Sequence, residues 1–358
     1  MTGYERISNL LRHQRTDRIG FNEHFWSDTQ KAYTQQGHLR PDESVETHFG
    51  FDMSEYWSFN MTADLDFERK VVNETEDTIT YLDGNGATLR RHKFHDTTPE
   101  HVGFCVTDGE SWKKYREFFS VVDERRIDFE GYRRARQEAR DNGRFFVWSG
   151  VNVFECMHPV CGHENMLAGM LLEPEWILDM ANTYAEQTIA LQQILFEKEG
   201  KPDGIWYYED MGYKLKPFLS PQLYREMLMP FHKRTFDFAK AEGLPVILHS
   251  CGFIEPLLPS LIEAGIDCLQ AMEVKAGMDL LRIYRAYGER IALMGGIDVR
   301  ALYSNDKAII DYELESKIPL VKEGYGYILH SDHSIPKEVQ CETFEYFIQK
   351  GLELGRYK

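Results

Sequence analysis

The sequence has no stretch of eighteen apolar residues, and no basic start followed by an apolar core and a small-residue cleavage site. Neither a membrane span nor a secretory leader is supported, and a cytoplasmic protein is the expectation. Cysteine is scarce: six residues, at 105, 156, 161, 251, 268 and 341, among 358. So thin a set does not make a disulfide scaffold, and these thiols read as free groups or ligands. Positive charge is also short, with 41 Lys and Arg against 58 Asp and Glu and a formal net charge of −17. Phosphate-rich surfaces need clustered cations, so nucleic acid and anionic membrane are not expected partners. No low-complexity tract or flexible linker divides the chain. With 42% hydrophobic residues, a single domain over 1–358 is expected.

What the sequence does have is alternation. Ile7, Leu10 and Leu11 follow the spacing of a short amphipathic helix. Residues 19–26 then alternate as a first strand, with Asn22 and His24 on one side, and residues 53–60 read as a second. Between 70 and 92, two β-prone runs flank Asp83-Gly84-Asn85-Gly86, the pattern of a β-hairpin inserted beside the main fold. The remaining two-thirds repeats apolar run, polar loop and helix. Runs near 144–149, 204–210, 246–250, 266–272, 291–296 and 327–331 bring the strand count to eight. Eight strands separated mostly by helices predict an α/β chain folded as a (β/α)8 TIM-type barrel.

In a barrel, polar side chains at the carboxyl ends of strands are read together, because those ends share one rim. They are Asn22 and His24, Ser149, Glu209 and Asp210, His249 and Cys251, Gln270 and Glu273, Asp298, and Asp332 with His333. His249 and Cys251 stand two apart at the end of an apolar strand, so both side chains point the same way. An imidazole and a thiolate so placed begin a site for a soft metal such as zinc. Asp298, after a glycine pair, reads as a helix cap.

Leu219-Ser220-Pro221, Pro230-Phe231-His232-Lys233, Leu248-His249-Ser250-Cys251-Gly252, Gly265-Ile266-Asp267, Met294-Gly295-Gly296-Ile297-Asp298 and Asp332-His333-Ser334-Ile335-Pro336 together resemble the uroporphyrinogen decarboxylase superfamily. The resemblance runs from Tyr4 to about Phe347 and is densest after residue 204. It implies a distorted (β/α)8 barrel and a possible homodimer. The superfamily contains decarboxylases of tetrapyrrole acetates and cobalamin-dependent methyltransferases. Its decarboxylases carry an Arg-Pro-Pro motif near the amino terminus that binds substrate carboxylates. Here that region reads Phe21-Asn22-Glu23-His24-Phe25-Trp26, with no guanidinium cluster, and a polyanion would go unpaired.

The chain looks closer to the methyltransferase branch, which binds zinc through a His-x-Cys pair and a distant third ligand. His249 and Cys251 match the pair, and His333 falls where the third ligand is expected. Asp332 is a second candidate ligand, and Glu209 or Glu273 could complete the shell or orient a ligand. The implied activity is zinc-dependent methyl transfer between a small methylated substrate, or a thiol, and a corrinoid. The sequence has no Asp-x-His-x-x-Gly cobalamin motif, so the corrinoid is expected on a partner protein. Trp26, Trp57, Trp148, Tyr207 and Tyr213, with His24, Gln270 and Glu273, are expected to line the substrate pocket. Such rings suit an aryl methyl ether or a methylamine. Tyr208, Glu209 and Asp210 are candidates for moving protons. The alternatives are a metal-independent decarboxylase or lyase using Asp210 and His333 as acid and base, and a corrinoid- or tetrapyrrole-binding scaffold without catalysis, whose His and Cys are structural.

Overall fold

The computed structural model describes residues 1–95 and 98–357. In chain order its strands are β1 (Gly20–Phe21), β2 (Met53–Trp57), β3 (Lys70–Glu74), β4 (Thr78–Leu82), β5 (Ala87–His92), β6 (Glu100–Phe104), β7 (Phe145–Val151), β8 (Gly204–Tyr208), β9 (Gly212–Tyr213), β10 (Lys216–Pro217), β11 (Val246–Ser250), β12 (Cys268–Ala271), β13 (Ala292–Met294) and β14 (Tyr327–Leu329). Eight of them form one sheet in the order β1-β14-β13-β12-β11-β8-β7-β2. Every neighbouring pair is parallel.

β1 and β2 stand at the two ends of that order, and Asp52 joins them. Its amide donates to Phe21 O at 2.9 Å, while the Phe21 amide donates to Asp52 Oδ2 at 2.9 Å. The carboxylate is buried between two guanidinium groups, Arg6 from the first helix and Arg18, whose Nη1 lies 2.7 Å from Oδ2. The eight-stranded ring therefore closes through one residue, by its amide and its carboxylate, rather than through a full ladder. The helix Gly3–Leu10, started by a Thr2–Glu5 capping box, sends Ile7 and Leu10 into the base of the ring.

Two apolar layers follow from the period of a strand. Met53, Phe145, Val147, Trp206, Ile247, Cys268, Ala292, Met294 and Ile328 pack inside the ring. Phe146, Trp148, Ile205, Tyr207, Val246, Leu248, Leu269, Leu293 and Leu329 pack outward under the helices. The helix Pro174–Glu199 and the Ser220-capped helix Pro221–Met227 belong to that outer layer, as the sequence suggested.

Two expectations needed revision. The first strand is laddered only over Gly20–Phe21, because the chain then turns and Phe25 bridges Ile335 instead. The insertion is larger than a hairpin: β3, β4, β5 and β6 form a four-stranded antiparallel sheet. Its turn is the expected one, with Asp83 Oδ1 accepting from the amides of Asn85 and Ala87. β6 was overlooked because Glu100-His101-Val102-Gly103 lacks the β-branched alternation that marks β4.

Asp52→Ala removes the bridge at the seam, leaves the buried Arg6 guanidinium paired with Asp17 alone and takes the carboxylate from the partly buried Arg18. A loss of about 3–5 kcal/mol is expected, measured as a lower urea midpoint with unchanged slope.

Candidate active site at the carboxyl rim

The inward set of side chains continues beyond the apolar layer to the carboxyl ends of the strands. His249 ends β11 with the same facing as Ile247, and Cys251 follows two residues later. Gly252 comes next at φ 75°, and a Cβ there would lie 2.4 Å from the carbonyl carbon of Gly212. Glycine is thus required, and the loop after β11 packs tightly against the loop after β8. That contact brings Asp210 in, where its Oδ1 accepts from the Cys251 amide at 2.8 Å.

Asp210, His249 and Cys251 form one cluster whose ligand atoms all lie within 4.8 Å of one another. His249 Nε2 is 3.2 Å from Asp210 Oδ1 and 3.3 Å from Cys251 Sγ. Zinc bonds of about 2.0 Å to nitrogen or oxygen and about 2.3 Å to sulfur, at tetrahedral angles, give ligand separations of roughly 3.3–3.5 Å. The donor set fits a catalytic zinc site with three protein ligands and a fourth position for substrate. His249 is prepared for this on its other face, where Nδ1 is hydrogen-bonded to Gln270 Oε1 of β12. An amide oxygen accepts, so Nδ1 carries the proton and the Nε2 lone pair is free for a metal.

Electrostatics match the geometry. Burial opposes ionisation of Asp210, but the His249 imidazole and the Cys251 amide outweigh it and hold the carboxyl down to about 2. Burial also opposes the His249 cation, yet the facing Cys251 and Asp210 raise its pKa well above the usual value. Burial pushes the Cys251 thiol up. A divalent cation would reverse that direction for the thiol and make it a thiolate.

Around the cluster the inward residues of six strands touch. Glu55 of β2 accepts from Ser149 Oγ at 2.7 Å and Tyr208 OH at 3.1 Å, and pairs with His24 Nε2 at 2.9 Å. The Tyr208 ring lies 4.7 Å from the His249 ring, and the half-exposed Trp57 packs against Tyr208 at 4.7 Å. On the opposite side Gln270 Nε2 reaches His330 Nε2 at 3.5 Å, and His330 Nδ1 stands 3.1 Å from Glu23. A cavity of about 470 Å³ opens beside the cluster, lined by Glu23, His24, Trp26, Glu46, Glu55 and Tyr208 among others. The ligand residues are not in its wall; Tyr208 connects the two.

The structure brings His24, Trp26, Trp57, Tyr208, Asp210, His249, Cys251 and Gln270 to this rim. It places others elsewhere. Trp148 and Tyr207 point outward into the core, where they bond Ser58 Oγ and Gln192 Oε1, because their odd or even place in the strand is opposite to that of Ser149 and Tyr208. Glu209 is fully buried, accepting from the Phe154 and Glu155 amides and His232, so it anchors a helix start rather than facing a substrate. His333 is not in the ligand cluster. Its ring lies 5.9 Å from Trp26 and lines a groove with Glu273, Asp298 and Asp332. Asp332 accepts from the Val274 and Val299 amides, and Asp298 caps the helix Val299–Tyr303 as expected. Glu273 Oε2 accepts from the Gly252 amide, bracing the Cys251 loop. Tyr213 is 58% exposed on the β9–β10 ribbon.

Sequence reading missed Glu55, Glu23 and His330. Glu55 was legible, since Met53, Glu55 and Trp57 share one face. His330 follows Ile328 by two residues, and attention to the polar pair beyond it passed over that spacing.

Glu23 gives a pH signature. Burial raises its pKa from an ordinary carboxyl value to about 8. A folded-state value above the unfolded one means that the folded protein holds this proton more tightly. The contribution to stability is complete below about 4.5 and lost as pH rises toward about 8. Glu23→Gln should flatten the fall of the urea midpoint across that interval.

Residues 150–351 match the family model described as Uroporphyrinogen decarboxylase (URO-D). Among curated proteins, the uroporphyrinogen decarboxylase of Carboxydothermus hydrogenoformans is 29% identical over 139 residues, 38% of each chain. The methylated-thiol–coenzyme M methyltransferase of Methanosarcina mazei is 32% identical over 90 residues, 24% of this chain and 22% of that one. The matched stretches thus span well under half the length of these relatives. A solved methyltransferase from Methanosarcina mazei shares the fold over 99% of both chains, with a TM-score of 0.70 at 14% identity. With more than half of its length matched by the family model, the chain belongs to the uroporphyrinogen decarboxylase (URO-D) family.

Proposed function

We propose that the protein is a zinc-dependent methyltransferase of a corrinoid methyl-transfer system. It moves a methyl group between a small methylated compound, such as an aryl methyl ether or methylamine, or a thiol, and a corrinoid carried by a partner protein. The observation that carries this reading is the Asp210–His249–Cys251 cluster, with the Nε2 lone pair freed by Gln270. These three side chains would hold the ion through Oδ1, Nε2 and Sγ. When bound, zinc supplies Lewis acidity at the heteroatom that loses or gains the methyl group.

The chain's own residues do the rest. Gln270 sets the imidazole tautomer, and the Cys251 amide orients Asp210. Trp57 and Tyr208 wall the approach to the cluster with flat apolar surface. The matched methylated-thiol–coenzyme M methyltransferase supports methyl transfer as the reaction class.

The family's other activity, decarboxylation of a polycarboxylate, is supported by the similarity to uroporphyrinogen decarboxylases. The rim disfavours it. The cavity beside the cluster is walled by the three carboxyl side chains Glu23, Glu46 and Glu55, with no Arg or Lys among its lining residues. A substrate with several carboxylates would meet like charge from Glu46 and Glu55 and find no guanidinium or ammonium group to pair with.

Purified protein is expected to hold about one zinc ion. Cys251→Ala or Asp210→Asn should weaken zinc binding, and Gln270→Leu should weaken it by about 10–100-fold through the imidazole alone, read by competition with a chromophoric chelator. His333→Ala should leave zinc binding unchanged. Full methyl transfer to cobalamin by metal-free protein would exclude the proposal.

A further inference from the structure

The helix Val153–Leu172, which follows β7, breaks at Gly162, where φ is 78° and ψ is 154°. In an unbroken helix, residues five apart point about 140° away from each other, so His158 and His163 would face different sides. Across the break their rings stack, with 4.2 Å between centroids and 19° between planes. The stack runs on to Phe218 at 4.8 Å and then to Tyr213 of the β9–β10 ribbon at 5.6 Å. On the other side His101 of β6 meets His158 edge-on at 5.9 Å. Phe104 of the same strand fills the notch at Gly162, where a Cβ would lie 2.3 Å from its Cε2. The inserted sheet is keyed to the barrel mouth at this point.

Within this junction His158 Nε2 lies 2.7 Å from Glu155 Oε1, and the histidine is 9% exposed. Among the described residues, His158 Nδ1 and Glu155 Oε2 are both buried without a hydrogen-bond partner. Buried polar atoms are nearly always satisfied, so an open atom on each member of an acid–imidazole pair marks a place where another polar group enters. The Glu155 amide donates to Glu209 Oε2, one residue before Asp210, and the Asp210 charge acts on the Glu155 carboxyl. The titratable groups facing it are Glu209 and Asp210 from the β8 loop, His101 from β6 and His163 from its own helix. Burial, reinforced by Asp210 and Glu209, raises the Glu155 pKa, and burial drives His163 down to about 4. The carboxyl is thus disposed to keep a proton, and His163 does not compete for it.

We infer that Glu155 and His158 are the proton-transfer pair of the methyl-transfer site, a role that rests on the methyl-transfer reading above. When a methyl group is removed, the carbon–heteroatom bond breaks and leaves its electron pair on the heteroatom. The methyl carbon takes a new pair from a reduced corrinoid, and one proton from the pair neutralises the heteroatom. In the opposite direction, the proton of a thiol passes to the pair as its sulfur gains the methyl group.

The test compares wild type, Glu155→Gln and His158→Asn, each zinc-loaded, with reduced cobalamin and methoxyarenes whose leaving phenols run from ordinary to strongly acidic nitrophenols. Each variant should lose about 100-fold or more with ordinary phenol leaving groups and less than about tenfold with nitrophenols, which depart without a proton, at unchanged zinc content and melting temperature. A second readout needs no turnover: protons released to buffer when a small thiol binds the zinc-loaded protein, counted by calorimetry in buffers of different ionisation enthalpy. Wild type should release well under one, and a variant carrying both Glu155→Gln and His158→Asn should release close to one. Equal losses across the phenol series, or equal proton release, would overturn the role of the pair. A wild type inert toward every donor that also binds no thiol would overturn the methyl-transfer reading and this role with it.

Discussion

The barrel depends on how it closes. Seven of its eight junctions are parallel ladders, and the eighth is Asp52, which bonds the backbone of β1 while Arg6 and Arg18 neutralise it. Burying that carboxylate would be prohibitive without both partners. Because the ring closes there, residues at its sequence extremes become neighbours. His24 after β1 and Glu55 on β2 meet Tyr208 of β8 within hydrogen-bond distance. An open sheet with the same strands would leave His24 apart from Glu55 and Tyr208, whose strands flank β7 at the other end.

Within the ring the chemistry is built from a single parity. Ser149, Tyr208, His249, Gln270 and His330 all continue the inward face of their strands, so five strands deliver polar groups to one level above an apolar floor. Hydrogen bonds then run sideways from strand to strand: His330 to Gln270, Gln270 to His249, and His249 to Asp210. The amide of Gln270 can accept on one side and donate on the other, which a carboxylate or an aliphatic residue could not do. It holds the proton on Nδ1 of His249 and leaves Nε2 of His330 as the acceptor.

The inserted sheet is part of this arrangement. Phe104 and His101 bring β6 against the broken helix after β7, so a segment outside the barrel contributes to its mouth. The break at Gly162 is what gives that helix two imidazoles on one side.

Local covalent geometry made part of this legible from the residues alone. A strand alternates with period two whatever surrounds it, so His249 and Cys251 had to share a face, and eight apolar runs between helices implied a barrel with its polar ends on one rim. That reasoning fails just past a strand end, where the backbone is no longer extended. Asp210, one residue beyond the buried helix anchor Glu209, turns in because Gly212 packs on Gly252. His333, equally close to its strand in sequence, turns out beside Trp26. The two-residue spacing of His249 and Cys251 was written in the chain, but which third group joins their cluster was decided by how two loops pack, a contact between Gly212 and Gly252 that no local pattern encodes.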